Sequence, residues 1–119
     1  MKVLSIFLLL FSMNIQATEK KNLLGLISEK HNFTGWRFSM KVTGNSGEMP
    51  TGGTAIIDDM GWMDDSVRGA RYVYNFQSGE YDEKDGYLSN IKEITLTETW
   101  YKCGRGEKTW IRKGDGLCP

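Results

Sequence analysis

The chain has 119 residues, and its 15 Lys and Arg balance 15 Asp and Glu, so the formal net charge at pH 7 is zero. A chain of this length makes one domain, and it lacks the basic excess that a nucleic-acid partner requires. One histidine and two cysteines are too few for a zinc site, which needs several such ligands held close together. We therefore predict no metal, no cofactor and no nucleic-acid partner.

The N-terminus has the layout of a secretory signal peptide. Lys2 precedes an apolar run over residues 3–13, and a polar stretch then closes on Ala17. The run is shorter than the roughly 20 apolar residues that a membrane-spanning helix needs. We predict that residues 1–17 are cleaved and that residues 18–119 form a single β-rich domain. This domain is expected to be periplasmic or secreted, with no stable membrane anchor.

The two cysteines, Cys103 and Cys118, are predicted to form a disulfide bond. An exported chain enters an oxidising compartment, where an even number of cysteines favours pairing. Closing a loop of about 15 residues stabilises a domain by roughly 3 kcal/mol. The bond would hold the C-terminus against the preceding strand.

The first predicted element of the mature chain is a short amphipathic helix. Leu23, Leu24, Leu26 and Ile27 cluster at helical spacings within residues 18–32, among Lys and Glu side chains. After this stretch the apolar period changes to two, which indicates strands. Strands are predicted over residues 36–43, 54–58, 71–77, 92–103 and 108–113.

Side-chain alternation assigns faces to two of these strands. In the third strand, Tyr72, Tyr74 and Phe76 are expected to share one face. In the fourth strand, the alternation is expected to place Ile94, Leu96 and Trp100 on one face and Tyr101 on the other.

Short Gly-rich connections without intervening helices predict the fold class. We expect a mainly β protein: a small antiparallel sheet or half-open barrel of about five strands, with one N-terminal α-helix. An exposed edge strand of such a sheet would allow pairing with a second copy, giving a homodimer.

The segment most typical of a binding site is residues 57–65, where Trp62 and two methionines lie between two pairs of acidic residues. Trp and Met are enriched at protein interfaces, and an aromatic anchor ringed by polar groups is typical of a binding hot spot. Alternatively, Trp62 folds back and caps the end of the core. The candidate partner-binding residues are Asp58, Asp59, Met60, Trp62, Met63, Asp64, Asp65, Arg68 and Tyr72.

Two fragments, residues 69–72 (Gly-Ala-Arg-Tyr) and 110–114 (Trp-Ile-Arg-Lys-Gly), resemble parts of the periplasmic C-type lysozyme inhibitors. These are small β-barrels with a Ser-Gly-x-x-Tyr element and a later Lys-Gly; here Arg68 stands where that family has the serine. In size, export and β-rich character the chain is also similar to periplasmic immunity proteins that act against wall-degrading effectors of rival cells. The resemblance implies a protein partner, a peptidoglycan-cleaving enzyme or toxin, whose active-site cleft this chain would occlude.

Two other functions stay open. Trp36, Trp100 and Trp110 would serve as stacking platforms in a carbohydrate-binding or adhesin-like module. The acids over residues 58–65 would supply the carboxylate pair of a small glycoside hydrolase. We expect that the chain is not an enzyme, and we assign no catalytic residue. His31 is the sole histidine and both cysteines are predicted to be paired, so a nucleophile with an adjacent base is not available.

Overall fold

The computed structural model describes residues 20–106 and 109–119. These residues contain one helix and five strands. The predicted signal peptide, residues 1–17, lies outside these ranges. The elements are α1 (Leu23–Lys30), β1 (Arg37–Gly44), β2 (Gly52–Met60), β3 (Val67–Ser78), β4 (Ile91–Cys103) and β5 (Trp110–Arg112). No helix within the described ranges is long and apolar enough to cross a membrane.

The strands form one antiparallel sheet in the order of the chain, β1-β2-β3-β4-β5. The mainly β prediction is therefore confirmed, and the architecture is an open sheet with a helix, not a half-open barrel. Each strand forms antiparallel hydrogen bonds with the next strand in the sequence. Such a meander places the β2–β3 turn and the β4–β5 connection at the same end of the sheet.

Helix α1 packs on one face of the sheet, which we name the inner face. Asn22 caps the helix, since its Oδ1 accepts the Gly25 N–H at 2.7 Å. Leu23 and Ile27 are buried, and each contributes roughly 1.5–3 kcal/mol by leaving water. Their partners in the core come from β2, β3 and the start of β4: Ala55, Ile57, Tyr74, Phe76 and Ile91.

A bulge in β4 corrects the predicted alternation of that strand. Tyr74 pairs with Leu96 while Val73 pairs with Glu98, so Thr97 is the extra residue. One extra residue moves every later side chain to the opposite face. Trp100 therefore points away from the helix, to the face we name the outer face, and the prediction that it shares a face with Leu96 is wrong.

The predicted disulfide is confirmed between Cys103 and Cys118, which are separated by 15 positions in the sequence. Cys103 is the last residue of β4, and Cys118 is the penultimate residue of the chain. The bond therefore folds the segment after β5 back toward the end of β4. This C-terminal segment forms one wall of the candidate site.

Candidate functional site

The turn between β2 and β3, residues 61–66, is held by backbone hydrogen bonds. The N–H groups of Gly61 and Trp62 both donate to the Arg68 carbonyl at 3.0 Å. Within the turn, Asp64 Oδ1 accepts the N–H groups of Ser66 at 2.7 Å and of Val67 at 3.0 Å. The sequence thus closes the turn with a local aspartate, which is a common role for this residue type.

Gly61 is the one position of this turn where only glycine fits. Its φ is 86°, a conformation that residues with a side chain rarely adopt. A Cβ there would also collide with the Trp36 indole, which packs directly on this glycine. Gly61 therefore sets both the direction of the turn and the position of Trp36.

A pocket of about 440 Å³ opens beside the turn. We name it the tip pocket; its lining residues are Trp62, Asp64, Val67, Tyr101, Ile111, Lys113, Gly114, Gly116, Leu117 and Cys118. Tyr101 and Ile111 pair across β4 and β5 in the row that also contains Ala70, so they lie on the inner face. The pocket occupies the part of that face beyond α1, between the turn and the C-terminal segment.

Two large apolar side chains next to this pocket are almost fully exposed to solvent. Met63 is fully exposed at the crest of the turn, and Leu117 is 92% exposed on the opposite wall of the pocket. Single exposed apolar residues are common on protein surfaces. Their position around an apolar pocket creates the kind of patch that marks an interaction site.

Charged groups lie in the pocket wall and beside it: Asp64 and Lys113 line the pocket, and Asp65 and Arg68 belong to the adjoining turn and the start of β3. Asp64, Asp65, Arg68 and Lys113 are all exposed. The N–H donors of Val67 and Ser66 lower the pKa of the Asp64 carboxyl, with smaller contributions from nearby arginines. Asp64 therefore keeps its negative charge in mildly acidic solution. The rim carries both signs of charge around an apolar centre.

Trp62 is half-buried in the pocket wall, and its indole N–H is buried without a hydrogen-bond partner among the described residues. A buried tryptophan N–H ordinarily finds a partner, and leaving one unsatisfied costs about 1–3 kcal/mol. The Trp62 side chain lines the pocket, while the neighbouring Met63 is fully exposed.

Strand β2 runs to Met60, whereas the sequence predicted an end at Asp58. Because side chains alternate along the strand and Ile57 and Asp59 are buried on the inner face, Asp58 and Met60 lie on the outer face. Asp58 accepts two hydrogen bonds from Arg71, at 2.7 and 2.9 Å. The Arg71 guanidinium also stacks on the Trp110 ring, 4.4 Å from its centroid. These residues form a polar and aromatic surface distinct from the tip pocket.

Asp59 points to the inner face and is 2% exposed. Its carboxylate accepts the N–H groups of Thr34 at 3.2 Å and Gly35 at 2.9 Å. This buried acid fastens the segment between α1 and β1 to the sheet. It has no surface to offer a partner protein, so its role in this structure is to support the fold.

Tyr72 also lies on the inner face, half-buried beneath the end of α1. The His31 ring stacks on Tyr72 with 4.1 Å between centroids, and His31 Nε2 hydrogen-bonds with the Tyr74 hydroxyl. Burial lowers the pKa of His31 and raises the pKa of both tyrosines. This aromatic cluster packs the helix onto the sheet.

The residues that the sequence predicted as one binding surface thus fall in separate places. Trp62, Met63, Asp64, Asp65 and Arg68 gather at the turn. The structure separates them from Asp58 and Met60 on the outer face and from Asp59 and Tyr72 on the inner face. Because Asp58 and Asp59 point to opposite faces, they also cannot act together on one substrate.

Sequence reasoning missed the other wall of the pocket, which Tyr101, Ile111 and Leu117 supply. A signal for Leu117 was present, since a disulfide at Cys118 must draw its neighbour back to the end of β4. Among residues 20–106 and 109–119, no group of three or more His, Cys, Asp or Glu side chains could hold a metal ion.

The sequence matches no protein-family model, and no curated protein or solved structure is significantly similar to the chain.

Proposed function

We propose that this chain is an exported binding protein that inhibits or neutralises a peptidoglycan-cleaving enzyme or toxin. It binds through the tip pocket and its turn, and it occludes the active-site cleft of the target. The observation that carries the proposal is the fully exposed Met63 beside an apolar pocket. Methionine and aromatic side chains are enriched in protein interfaces, whose cores are more apolar than the remaining surface.

The turn and the pocket suit two complementary contacts. Met63 projects into the cleft of the target, while an apolar side chain from the cleft rim enters the tip pocket between Trp62 and Leu117. Each contact removes apolar surface from water on both partners. Contacts of this kind, at the centre of a patch, supply most of the binding free energy of a typical interface.

Charged residues around the turn would set the orientation in which this chain meets its target. Asp64 and Asp65 meet basic residues of the target, as the sequence predicts, and Arg68 and Lys113 meet acidic ones. The lowered pKa of Asp64 keeps this attraction in place under mildly acidic conditions. Exposed charges of this kind affect the rate of association and the choice of partner more than the affinity.

The target class rests on the predicted export and on the resemblance to periplasmic lysozyme inhibitors. Of the two fragments that carry this resemblance, residues 110–114 reach the pocket wall with Ile111, Lys113 and Gly114. The other fragment, residues 69–72, lies inside β3 with Ala70 fully buried. The first fragment is therefore the one that supports an inhibitory contact.

A capture experiment identifies the target. The tagged mature domain, residues 18–119, is incubated with periplasmic and secreted extracts of its own source, and bound proteins are identified by mass spectrometry. We expect one stoichiometric wall hydrolase or toxin, whose activity falls when the domain is added. If no such protein is recovered in either low or moderate salt, the proposal is wrong.

A matched pair of variants then tests the site. Met63→Ser truncates the exposed methionine of the turn, and Met49→Ser truncates a methionine that is 57% exposed in the β1–β2 loop at the other end of the sheet. Met63→Ser should weaken target binding by roughly tenfold or more, the effect of losing a hot-spot side chain. Met49→Ser should bind as the unmodified chain does. Equal affinities for the two variants would move the interface away from the tip.

A second candidate function, carbohydrate binding, is favoured by the surroundings of Trp36. This indole is 75% exposed and borders an open cavity of about 590 Å³, which Asp58, Ser39 and Met60 also line. A sugar ring stacked on the indole would find a carboxylate within the same cavity. Titration of peptidoglycan fragments against the domain and its Trp36→Ala variant distinguishes this candidate, since inhibition through the tip pocket does not require Trp36.

A further inference from the structure

Strand β1 is an edge of the sheet, and its geometry suits pairing with another strand. It extends over Arg37–Gly44 and pairs with β2 in regular register from Arg37 opposite Met60 to Gly44 opposite Gly53. It contains no proline. Proteins commonly protect such an edge with a proline, a bulge, a very short strand or charged side chains, lysine above all. β1 has eight residues and no proline or bulge, but it carries two charged side chains, Arg37 and Lys41, which restrict how a second strand can pair with it.

The ladder with β2 determines which backbone groups of β1 face outward. Asn45, in the same register just after the strand, donates its N–H to the Gly52 carbonyl at 2.9 Å. In an antiparallel ladder, residues bonded to a given neighbour alternate with residues that are not. The odd-numbered residues of β1 therefore bond to β2. Phe38, Met40 and Val42 direct their N–H and C=O groups to the open edge.

Side chains on the two faces of β1 differ in character. Phe38, Met40 and Val42 lie on the inner face, where Met40 and Val42 pack against the core and Phe38 is 46% exposed beside Phe33. The outer face carries the cations Arg37 and Lys41 together with Ser39 and Thr43. A second β1 strand in antiparallel pairing must keep these cations apart.

We propose that two copies of this chain pair through β1, with Met40 opposite the partner's Met40 on a two-fold axis perpendicular to the sheet. This register joins the two inner faces, because residues of equal parity lie opposite each other. Phe38 then lies opposite the partner's Val42, which covers its exposed ring. The three outward-facing residues of each copy exchange N–H to carbonyl hydrogen bonds with the other copy.

Charge selects this register over its neighbours. With Met40 on the axis, Arg37 lies opposite the partner's Thr43 and Lys41 opposite the partner's Ser39, so no like charges lie directly opposite each other. A shift of the register in one direction places Lys41 opposite the partner's Lys41. A shift in the other direction places Arg37 opposite the partner's Lys41. Like charges directly opposite each other destabilise a strand pair.

The dimer would carry its two tip pockets at opposite ends, because the paired strands run antiparallel. Each pocket stays open to a target, since residues 61–66 and the C-terminal segment lie at the end of the sheet and not along the β1 edge. The association is independent of the proposed function, and either can fail without the other.

A charge series at Thr43 tests the pairing. Thr43 is exposed and has the neutral Thr54 as its neighbour on β2, so a charged side chain is tolerated in the single copy. Thr43→Arg sets an arginine opposite the partner's Arg37 twice in each dimer, and it should weaken association by roughly threefold to thirtyfold. Thr43→Glu should tighten association. Combining Thr43→Arg with Arg37→Glu should restore it.

Sedimentation of the disulfide-bonded residues 18–119 over a concentration series is the measurement. Thr95→Arg serves as the matched control, because Thr95 is an exposed threonine on β4, three strands away from the β1 edge. We expect the unmodified chain and this control to sediment as dimers of equal affinity, and unfolding curves to show that all variants are folded. A chain that stays monomeric at every concentration overturns the proposal. A Thr43→Arg dimer as tight as the Thr43→Glu dimer overturns it as well.

Discussion

Replacing Asp59 with alanine removes the acceptor that fastens the segment between α1 and β1 to the sheet. Both oxygens of this buried carboxylate are in use, one with the Thr34 N–H at 3.2 Å and one with the Gly35 N–H at 2.9 Å. Hydrogen bonds to a charged group contribute about 1.5–3 kcal/mol each, and water can reach part of the vacated site. We expect Asp59→Ala to lower the free energy of unfolding by roughly 2–4 kcal/mol.

Asp58 provides the matched control, because it is the preceding residue and points to the opposite face. Its carboxylate pairs with Arg71, whose side chain is 39% exposed and whose guanidinium also stacks on Trp110. After Asp58→Ala, water and the indole still accommodate this cation. Partly exposed ion pairs of this kind contribute about 1 kcal/mol or less. The two neighbouring substitutions should therefore differ several-fold in their effect.

Urea unfolding of the disulfide-bonded domain, followed by tryptophan fluorescence, measures both effects. Asp59→Asn adds a finer test, since an amide keeps one acceptor oxygen but turns an NH₂ group toward the second N–H donor. Its loss should lie between those of the other two variants. If Asp59→Ala unfolds at the same urea concentration as Asp58→Ala, the structural role assigned to Asp59 is refuted.

The disulfide and His31 give two further predictions. Replacing Cys103 and Cys118 together by serine should lower the free energy of unfolding by about 3 kcal/mol, because the bond closes a loop between cysteines 15 positions apart in the sequence. Unfolding curves of both proteins under non-reducing conditions measure this difference. A stability unchanged by the double replacement would contradict this. Burial lowers the pKa of His31 in the folded chain, so the unfolded chain binds a proton more readily. The stability that neutral His31 contributes is therefore present above the unfolded pKa of about 6.5. It is lost as the pH falls through the lower pKa of the folded chain. Urea midpoints between about pH 7.5 and pH 5.5 should fall less for His31→Gln than for the unmodified chain, and equal slopes would refute the assignment.

The sequence predicted the five strands and the helix because their apolar periods are regular. Its errors occur where one residue breaks the period. β2 continues past Asp58 because an inward-facing Asp59 is satisfied by N–H donors from another segment, which local patterning does not reveal. The bulge at Thr97 reverses the alternation in β4 and sends Trp100 to the outer face. Both features depend on contacts that form only in the folded sheet.

The candidate site was predicted in part for the same reason. The turn with Trp62 and Met63 stands out because large apolar residues occur in an acidic, glycine-containing stretch. The opposite wall of the pocket comes from Tyr101, Ile111 and Leu117, which are distant in sequence and are brought together by strand pairing and the disulfide. Local composition identifies one wall of such a site, and topology supplies the other.

Residues 58–65 show why a binding surface on a small sheet has to be tested by side chain and not by segment. Asp59 and Met63 are four positions apart, yet one is 2% exposed and the other fully exposed. Asp59→Ala should reduce stability and leave the affinity of the folded fraction unchanged, whereas Met63→Ser should reduce affinity and leave stability unchanged. Measuring unfolding and target binding on both variants separates the two roles. A segment deletion would remove both at once and assign neither.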